Sequence, residues 1–399
     1  MKKDTIISKR KLLGIAGLGW MFDAMDVGIL SFIITALQKD WNLTAKQMGW
    51  IGSINSIGMA AGALLFGIMA DRIGRKAVFI ITLLMFSIGS GLSALAPTLA
   101  VFLILRFFIG MGLGGELPVA STLVSESVSA AERGRVVVLL ESFWAGGWLI
   151  AALISYFIIP SYGWQIALLL SAVPAFYALY LRLNLPDSPQ FQAASQKQSA
   201  WEKIAGVWSK TYARSTIMLW VLWFCVVFSY YGMFLWLPSV MVMKGFSLIK
   251  SFEYVLIMTL AQLPGYFTAA WLIERAGRKF VLVAYLIGTA VSAYFFGSAE
   301  SLPLLITSGV FLSFFNLGAW GALYAYTPEQ YPTIIRGTGA GMAASFGRIG
   351  GILGPLLVGY LVAQKTSITT VFTIFCVAIL VGVLAVLLLG KETKQQELA

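Results

Sequence analysis

Gly67-Ile68-Met69-Ala70-Asp71-Arg72-Ile73-Gly74-Arg75-Lys76 is the stretch from which the fold of this 399-residue chain can be read. It lies between two long apolar runs, and its essentials return as Ile273-Glu274-Arg275-Ala276-Gly277-Arg278-Lys279. Asp71 and Glu274 are 203 positions apart, and the same offset carries Gly74 onto Gly277, Arg75 onto Arg278 and Lys76 onto Lys279. Glu126…Arg133-Gly134 maps onto Glu329…Arg336-Gly337 at that spacing as well. Matched charged loops at one offset mark a duplicated unit.

The apolar runs flanking these loops set the fold class. The chain is 59% hydrophobic and only 11% charged, with a mean hydropathy of +0.85. That charge content is too low for a soluble domain of this length. Twelve runs are long enough to cross the bilayer core as helices, at about 20 residues each: 12–37, 46–70, 77–95, 98–123, 136–159, 163–183, 215–242, 252–273, 280–298, 302–326, 338–362 and 368–389. The expected architecture is an all-α integral membrane protein of two pseudo-symmetric six-helix bundles, residues 1–183 and 215–399. A cytoplasmic linker, 184–214, joins them. In that linker Trp201, Ile204 and Trp208, with Lys203 and Lys210 nearby, fit an amphipathic surface helix or an extended tether.

The net charge of +11 belongs to topology, not to nucleic acid. With the N-terminus inside, 21 of the 28 Lys and Arg fall on inner segments, five on outer loops, and two, Arg106 and Arg348, inside spans. This asymmetry places both termini in the cytoplasm of a plasma-membrane protein. The N-terminal apolar run follows Lys9-Arg10-Lys11 but carries two aspartates and no small-residue cleavage site, so it reads as span 1 and not as a signal peptide. Only Cys225 and Cys376 are present, both in spans, which excludes a disulfide framework and a Cys-based metal site. With no histidine, a proton relay has to use carboxylates. No phosphate-binding Gly-Lys-Ser/Thr loop, metal-ligand cluster or hydrolytic triad occurs, so neither enzymatic activity nor a cofactor is expected.

The repeated loop has its own physical logic. Two helices must turn within a few residues, which glycines permit. The acid and arginines can form charge-assisted bonds with neighbouring helix ends and latch the two halves on one side. Topology anchors alone would need neither Gly nor acid. The motif resembles the loop between spans 2 and 3, and again 8 and 9, in the major facilitator superfamily of secondary transporters, and the resemblance covers nearly the whole chain. It implies inner-gate roles for Asp71, Arg72, Arg75, Glu274, Arg275 and Arg278. Glu126, Arg133, Glu329 and Arg336 look like the inner charge network of sugar-porter-like members. Glu116 and Glu141, each about 10 Å from the inner face by helix rise, are expected to latch onto the gate arginines Arg72, Arg75, Arg133 or Arg135, with a substrate role as the alternative. Pro186-Asp187-Ser188-Pro189-Gln190 resembles the sugar-porter element that closes span 6, with its acid and last residue altered.

Within the spans, charge is costly and marks function. Span 1 holds Asp23 and Asp26, three apart and on one face. Asp26 lies about 22 Å and Arg106, in the Gly-rich span 4, about 27 Å from the inner ends of their helices, so the two are expected to pair. By resemblance, such a pair serves proton coupling, and Asp-x-x-Asp is similar to the span-1 motif of aromatic-acid/proton symporters, with Ala24 in place of the usual Gly. Arg348, about 16 Å deep in span 11, has no acid at its level in its own half. An unpaired buried cation calls for an anion, and the substrate is the candidate. Phe107, Trp144, Trp148, Tyr231, Trp236 and Trp320 could sandwich a ring, and Asn316 could add a hydrogen bond. Residues alone reach a small organic anion with an aromatic ring. The chain further resembles the niacin-transporting members of the sugar-porter/organic-ion branch, which implies proton-coupled uptake of nicotinate, and of nicotinamide, by alternating access. The expected partners are this small solute, a proton and the lipid bilayer, with a monomer as the working unit. Export of drugs or metabolites, transport of another small solute, or a static receptor are the other classes. The paired latches argue against the receptor.

Overall fold

The computed structural model describes residues 9–73, 75–126, 133–174, 176–177, 180 and 200–394. The Pro186–Gln190 element lies outside them, as do the side chains of Asp71, Arg72, Arg75, Glu116, Glu126 and Arg133. The described residues form fifteen helices and no strand. The first half contains α1 (Lys9–Trp41), α2 (Ala45–Ile73), α3 (Arg75–Ser93), α4 (Leu99–Glu126), α5 (Arg133–Tyr162) and α6 (Trp164–Leu170). A short α7 (Ala200–Val207) precedes the second half: α8 (Ala213–Phe234), α9 (Leu237–Met243), α10 (Leu248–Leu260), α11 (Gln262–Ala276), α12 (Arg278–Ser298), α13 (Leu302–Glu329), α14 (Thr333–Ala363) and α15 (Ile368–Leu389). These make up a twelve-span helical membrane protein.

The duplication seen in the sequence is carried by the backbone. α2 begins at Ala45 and α10 at Leu248, α4 at Leu99 and α13 at Leu302, each pair 203 apart. A packing contact repeats too. Gly62 lies directly against the Met111 carbonyl, and 203 positions on Gly265 lies against the Phe314 carbonyl, so no side chain fits at either crossing.

Spans 7 and 8 are each built from two helices. α8 gives way to α9 at Leu235-Trp236, just ahead of Pro238 in the first turn of α9. Proline is tolerated there because the first helical N–H groups have no intrahelical partner. The second break falls at Ala261, three residues before Pro264. Gly277, in the repeated loop, has φ 102°, a backbone conformation that side chains disfavour.

The outer surface carries exposed Phe157, Phe176, Trp271 and Leu388. In water such a surface would be a liability, whereas in hydrocarbon it is the surface required. In the linker, Trp208 packs edge-on against Trp220 of α8, and Gly206 approaches Ile335 of α14. α7 is therefore seated on the second half, while Trp201 is exposed.

Candidate functional site

Glycine contacts between α2 and α4 build the first part of the site. Gly58 lies against the Phe107 carbonyl and Gly110 against that of Asn55, which brings Asn55 beside Arg106. Arg106 and Asp26 are both fully buried. Arg106 donates from Nη2 to Asp26 Oδ2 at 2.7 Å and from Nη1 to Oδ1 at 3.3 Å. Nη2 also donates to Asn55 Oδ1 at 3.1 Å, and Ser90 Oγ donates to Asp26 Oδ1 at 2.6 Å. Ser90 of α3 and Arg106 of α4 thus meet the carboxylate of α1, and Asn55 of α2 joins through Arg106. Asp23, one turn earlier, is also buried.

The second part is a chain of rings spanning both halves. Trp144 stacks on Trp320 at 6.4 Å and donates from its indole N–H to Tyr230 Oη at 2.8 Å. Tyr230 lies 4.7 Å from Trp320, 5.2 Å from Tyr231 and 6.5 Å from Trp148. Tyr324 joins Trp320 at 5.8 Å, Trp223 at 5.1 Å and Trp20 at 6.1 Å. Arg348 borders this cluster, donating to Tyr231 Oη at 3.3 Å and pointing at Met59 Sδ at 3.8 Å. Among the described residues no carboxylate forms an ion pair with it. The indole N–H of Trp320 and the Asn316 side-chain oxygen are buried without a hydrogen-bond partner among the described residues. Unsatisfied polar atoms inside a cluster of rings suit a ligand with polar edges. Trp236 is buried at the α8–α9 break and is not one of the ring pairs.

Glu141, expected at the gate, contacts the ring cluster. Its Oε2 accepts from the Trp20 indole N–H at 3.0 Å, and Trp20 packs on Trp144 at 5.1 Å. Helix rise places a residue in depth but does not say which way it faces, and α5 is apolar nearly all round.

The expected gate residues with described side chains, Glu141 aside, lie in the second half. Arg278, almost fully buried, donates to Glu274 Oε2 at 2.7 Å and to Glu329 Oε2 at 3.1 Å. The Arg135 backbone N–H donates to Glu274 Oε1 at 3.2 Å across the two halves. A Cβ added at Gly134 would sit 2.7 Å from that oxygen and 2.9 Å from Arg278 Nη2, so a side chain there would push the ends of Glu274 and Arg278 aside. Arg275 lies over the Trp271 ring at 4.1 Å, and Arg336 donates to the Pro328 and Tyr331 carbonyls. The tail supplies a member that sequence reasoning missed. Glu392 accepts from the Arg278 and Lys279 backbone N–H groups at the start of α12, where the helix dipole favours an anion. Thr393 donates to Glu329 Oε2 at 2.7 Å. On the opposite side, Thr35 and Ser239 hydroxyls bond at 2.7 Å, and Ser53 donates to the Ile352 carbonyl at 2.6 Å. The halves therefore touch at both ends, with the ring cluster enclosed between them.

Repeated helical bundles closed over a polar and aromatic centre define a multi-pass membrane transporter of a small molecule, not an enzyme. The family model of the Major Facilitator Superfamily matches residues 16–263 and 254–398, and the chain belongs to that superfamily. It is 72% identical, over all of both chains, to the candidate niacin/nicotinamide transporter NiaP of Bacillus subtilis. It is 49% identical to the niacin transporter NiaP of Acinetobacter baylyi, over 97% of this chain and 95% of that one. The proton:xylose symporter XylE, solved with 6-bromo-6-deoxy-D-glucose bound, shares the fold with a TM-score of 0.78 over 97% of each chain, at 20% identity.

Proposed function

We propose that this protein takes up nicotinate across the plasma membrane together with a proton, both termini lying in the cytoplasm, and that it accepts nicotinamide as a second substrate. Arg348 carries the proposal. It is a buried guanidinium on the edge of a ring cluster, held by a tyrosine hydroxyl, with no carboxylate paired to it among the described residues. A flat aromatic acid supplies both the ring for the cluster and the anion for Arg348. The niacin transporters among the relatives support this choice over a sugar.

In alternating access, the bundles 1–183 and 215–399 rock about the central cluster. The contact of Arg135 with Glu274, whose carboxylate the second half holds through Arg278, closes the inner side in one state and parts in the other. Asp26 takes the proton, releases part of its hold on Arg106, and so links protonation to the packing of α1, α2, α3 and α4.

The test is uptake of labelled nicotinate and nicotinamide into a niacin-auxotrophic host. Arg348→Ala should cut nicotinate uptake by about ten- to a hundredfold, as expected for a lost charge-assisted bond, and leave nicotinamide little changed. Equal losses for both would remove the carboxylate assignment, and no uptake of either by the unaltered protein would remove the function.

A further inference from the structure

Glu141 is a buried carboxylate that the coupling pair and the gate do not use. The indole of Trp20 donates to one of its oxygens at 3.0 Å, and no cation pairs with it among the described residues. A run of rings links the acid to the guanidinium: Trp20, bonded to Glu141, packs on Trp144, Trp144 bonds to Tyr230, and Tyr230 packs on Tyr231, which accepts from Arg348. A pyridine carboxylate is built the same way, with an anion at one edge of the ring and a lone pair at another. Arg348 accounts for the anion. The Trp20 indole and the Tyr266 and Tyr324 phenols are near Glu141, and a neutral carboxylic acid there would hold an O–H with an acceptor to find.

We propose that Glu141, in its protonated form, donates a hydrogen bond to the pyridine nitrogen of the substrate and so selects pyridine carboxylates over benzoates. This rests on the aromatic-acid function proposed above and adds to it the feature by which the ring is read. The proton lies between Glu141 and the ring nitrogen, and the Trp20 indole donates to the acid's Oε2 so that the acid is aimed. Ionised Glu141 has no proton to give and faces the nitrogen lone pair with a negative charge. Pyridine binding therefore weakens as pH rises, while benzoate binding does not follow Glu141. The other titratable groups around it are the Tyr266 and Tyr324 phenols on α11 and α13, Tyr230 on α8, Asp23 three residues from Trp20 on α1, and Arg348 on α14. Asp26 and Arg106 are tied to each other, and Arg135 lies two turns away at the inner end of α5.

The experiment measures binding of nicotinate, benzoate, nicotinamide and benzamide to the purified full chain by tryptophan fluorescence, at acidic and alkaline pH. Three proteins are compared: the unaltered protein, Glu141→Gln and Glu141→Met. Gln keeps an N–H donor, so it should retain nicotinate binding and lose its pH dependence. Met should weaken nicotinate and nicotinamide by about ten- to a hundredfold, one buried hydrogen bond, and leave benzoate unchanged or improved. Thermal unfolding in detergent confirms that the variants are folded. Equal weakening of nicotinate and benzoate in Glu141→Met, or a pH dependence that persists in Glu141→Gln, overturns the role of Glu141 while leaving the transport function standing. Failure of the unaltered protein to bind any pyridine overturns both.

Discussion

Asp26→Asn is the perturbation that isolates coupling from transport. Asn keeps the shape of the side chain and an oxygen that can accept from Arg106 and Ser90, so the four-helix junction retains most of its hydrogen bonds. What it loses is the site for a proton. The size of the expected effect follows from charge. A nicotinate anion moving with one proton carries no net charge, so the membrane potential, worth about 2.3 kcal/mol per charge per 100 mV, cancels. Accumulation then depends on the pH difference alone, at about tenfold per unit, since about 1.4 kcal/mol corresponds to one decade. In vesicles reconstituted with the protein, an acid outside should drive tenfold accumulation per pH unit, and a potassium diffusion potential should add nothing. Asp26→Asn should bring the accumulation ratio to one at every pH difference and still exchange labelled for unlabelled nicotinate. Accumulation by the variant against its gradient would refute Asp26 as the coupling site. Accumulation by the unaltered protein that follows the membrane potential would refute the one-proton stoichiometry behind the arithmetic.

Arg106→Leu leaves Asp26 buried without its cation and should destabilise the protein by about 3–5 kcal/mol, whereas Arg106→Leu combined with Asp26→Leu should regain most of that loss. Thermal unfolding in detergent reads both, and a double variant no more stable than the single would show that the pair is not the source. Gly134→Leu puts a side chain where Glu274 and Arg278 close on the first half. It should depress uptake by at least about tenfold, the effect of roughly 1.4 kcal/mol at the rate-limiting step, with nicotinate binding unchanged. A parallel loss of binding would mean that the variant disturbs the centre and not the gate.

Much of the scaffold is legible from residue types and one spacing. Twelve apolar runs, a charge asymmetry and a repeated loop suffice because hydrocarbon permits few solutions for a spanning chain. The pairing of Asp26 with Arg106 follows from depth, since opposite charges at one level of a low-dielectric interior have few other partners. Facing direction was the weak point. Helix rise gives Glu141 a depth that suits the gate as well as the cluster, and no polar face on α5 indicates the side to which it turns. Trp20 and Tyr324 escaped selection for the same reason, although Trp20 is three residues from Asp23 and Tyr324 four from Trp320, spacings that place each pair on one face. Glu392 was hidden by register. At the repeat offset of 203, Asp187 falls on Gly390, and the acid that caps α12 stands two residues further on.

The repeat also shows where the two halves had to become different. The offset that carries Asp71 onto Glu274 and Glu126 onto Glu329 carries Asp26 onto Ser229, Arg106 onto Gly309 and Glu141 onto Ala344. Traced back, Arg348 falls on Ala145. Latch charges are duplicated and central charges are not. A gate joins two equivalent bundle ends, so the same acid and arginine serve on each side. A small solute with an anion at one edge and a ring nitrogen at another has no such symmetry, and duplicating its ligands would leave a second set of buried charges with nothing to pair them. Each such charge would cost several kcal/mol. Among the described residues the first half therefore holds a self-neutralising pair with the buried acids Asp23 and Glu141, the second half the cation Arg348, and the rings of both halves close the space between them.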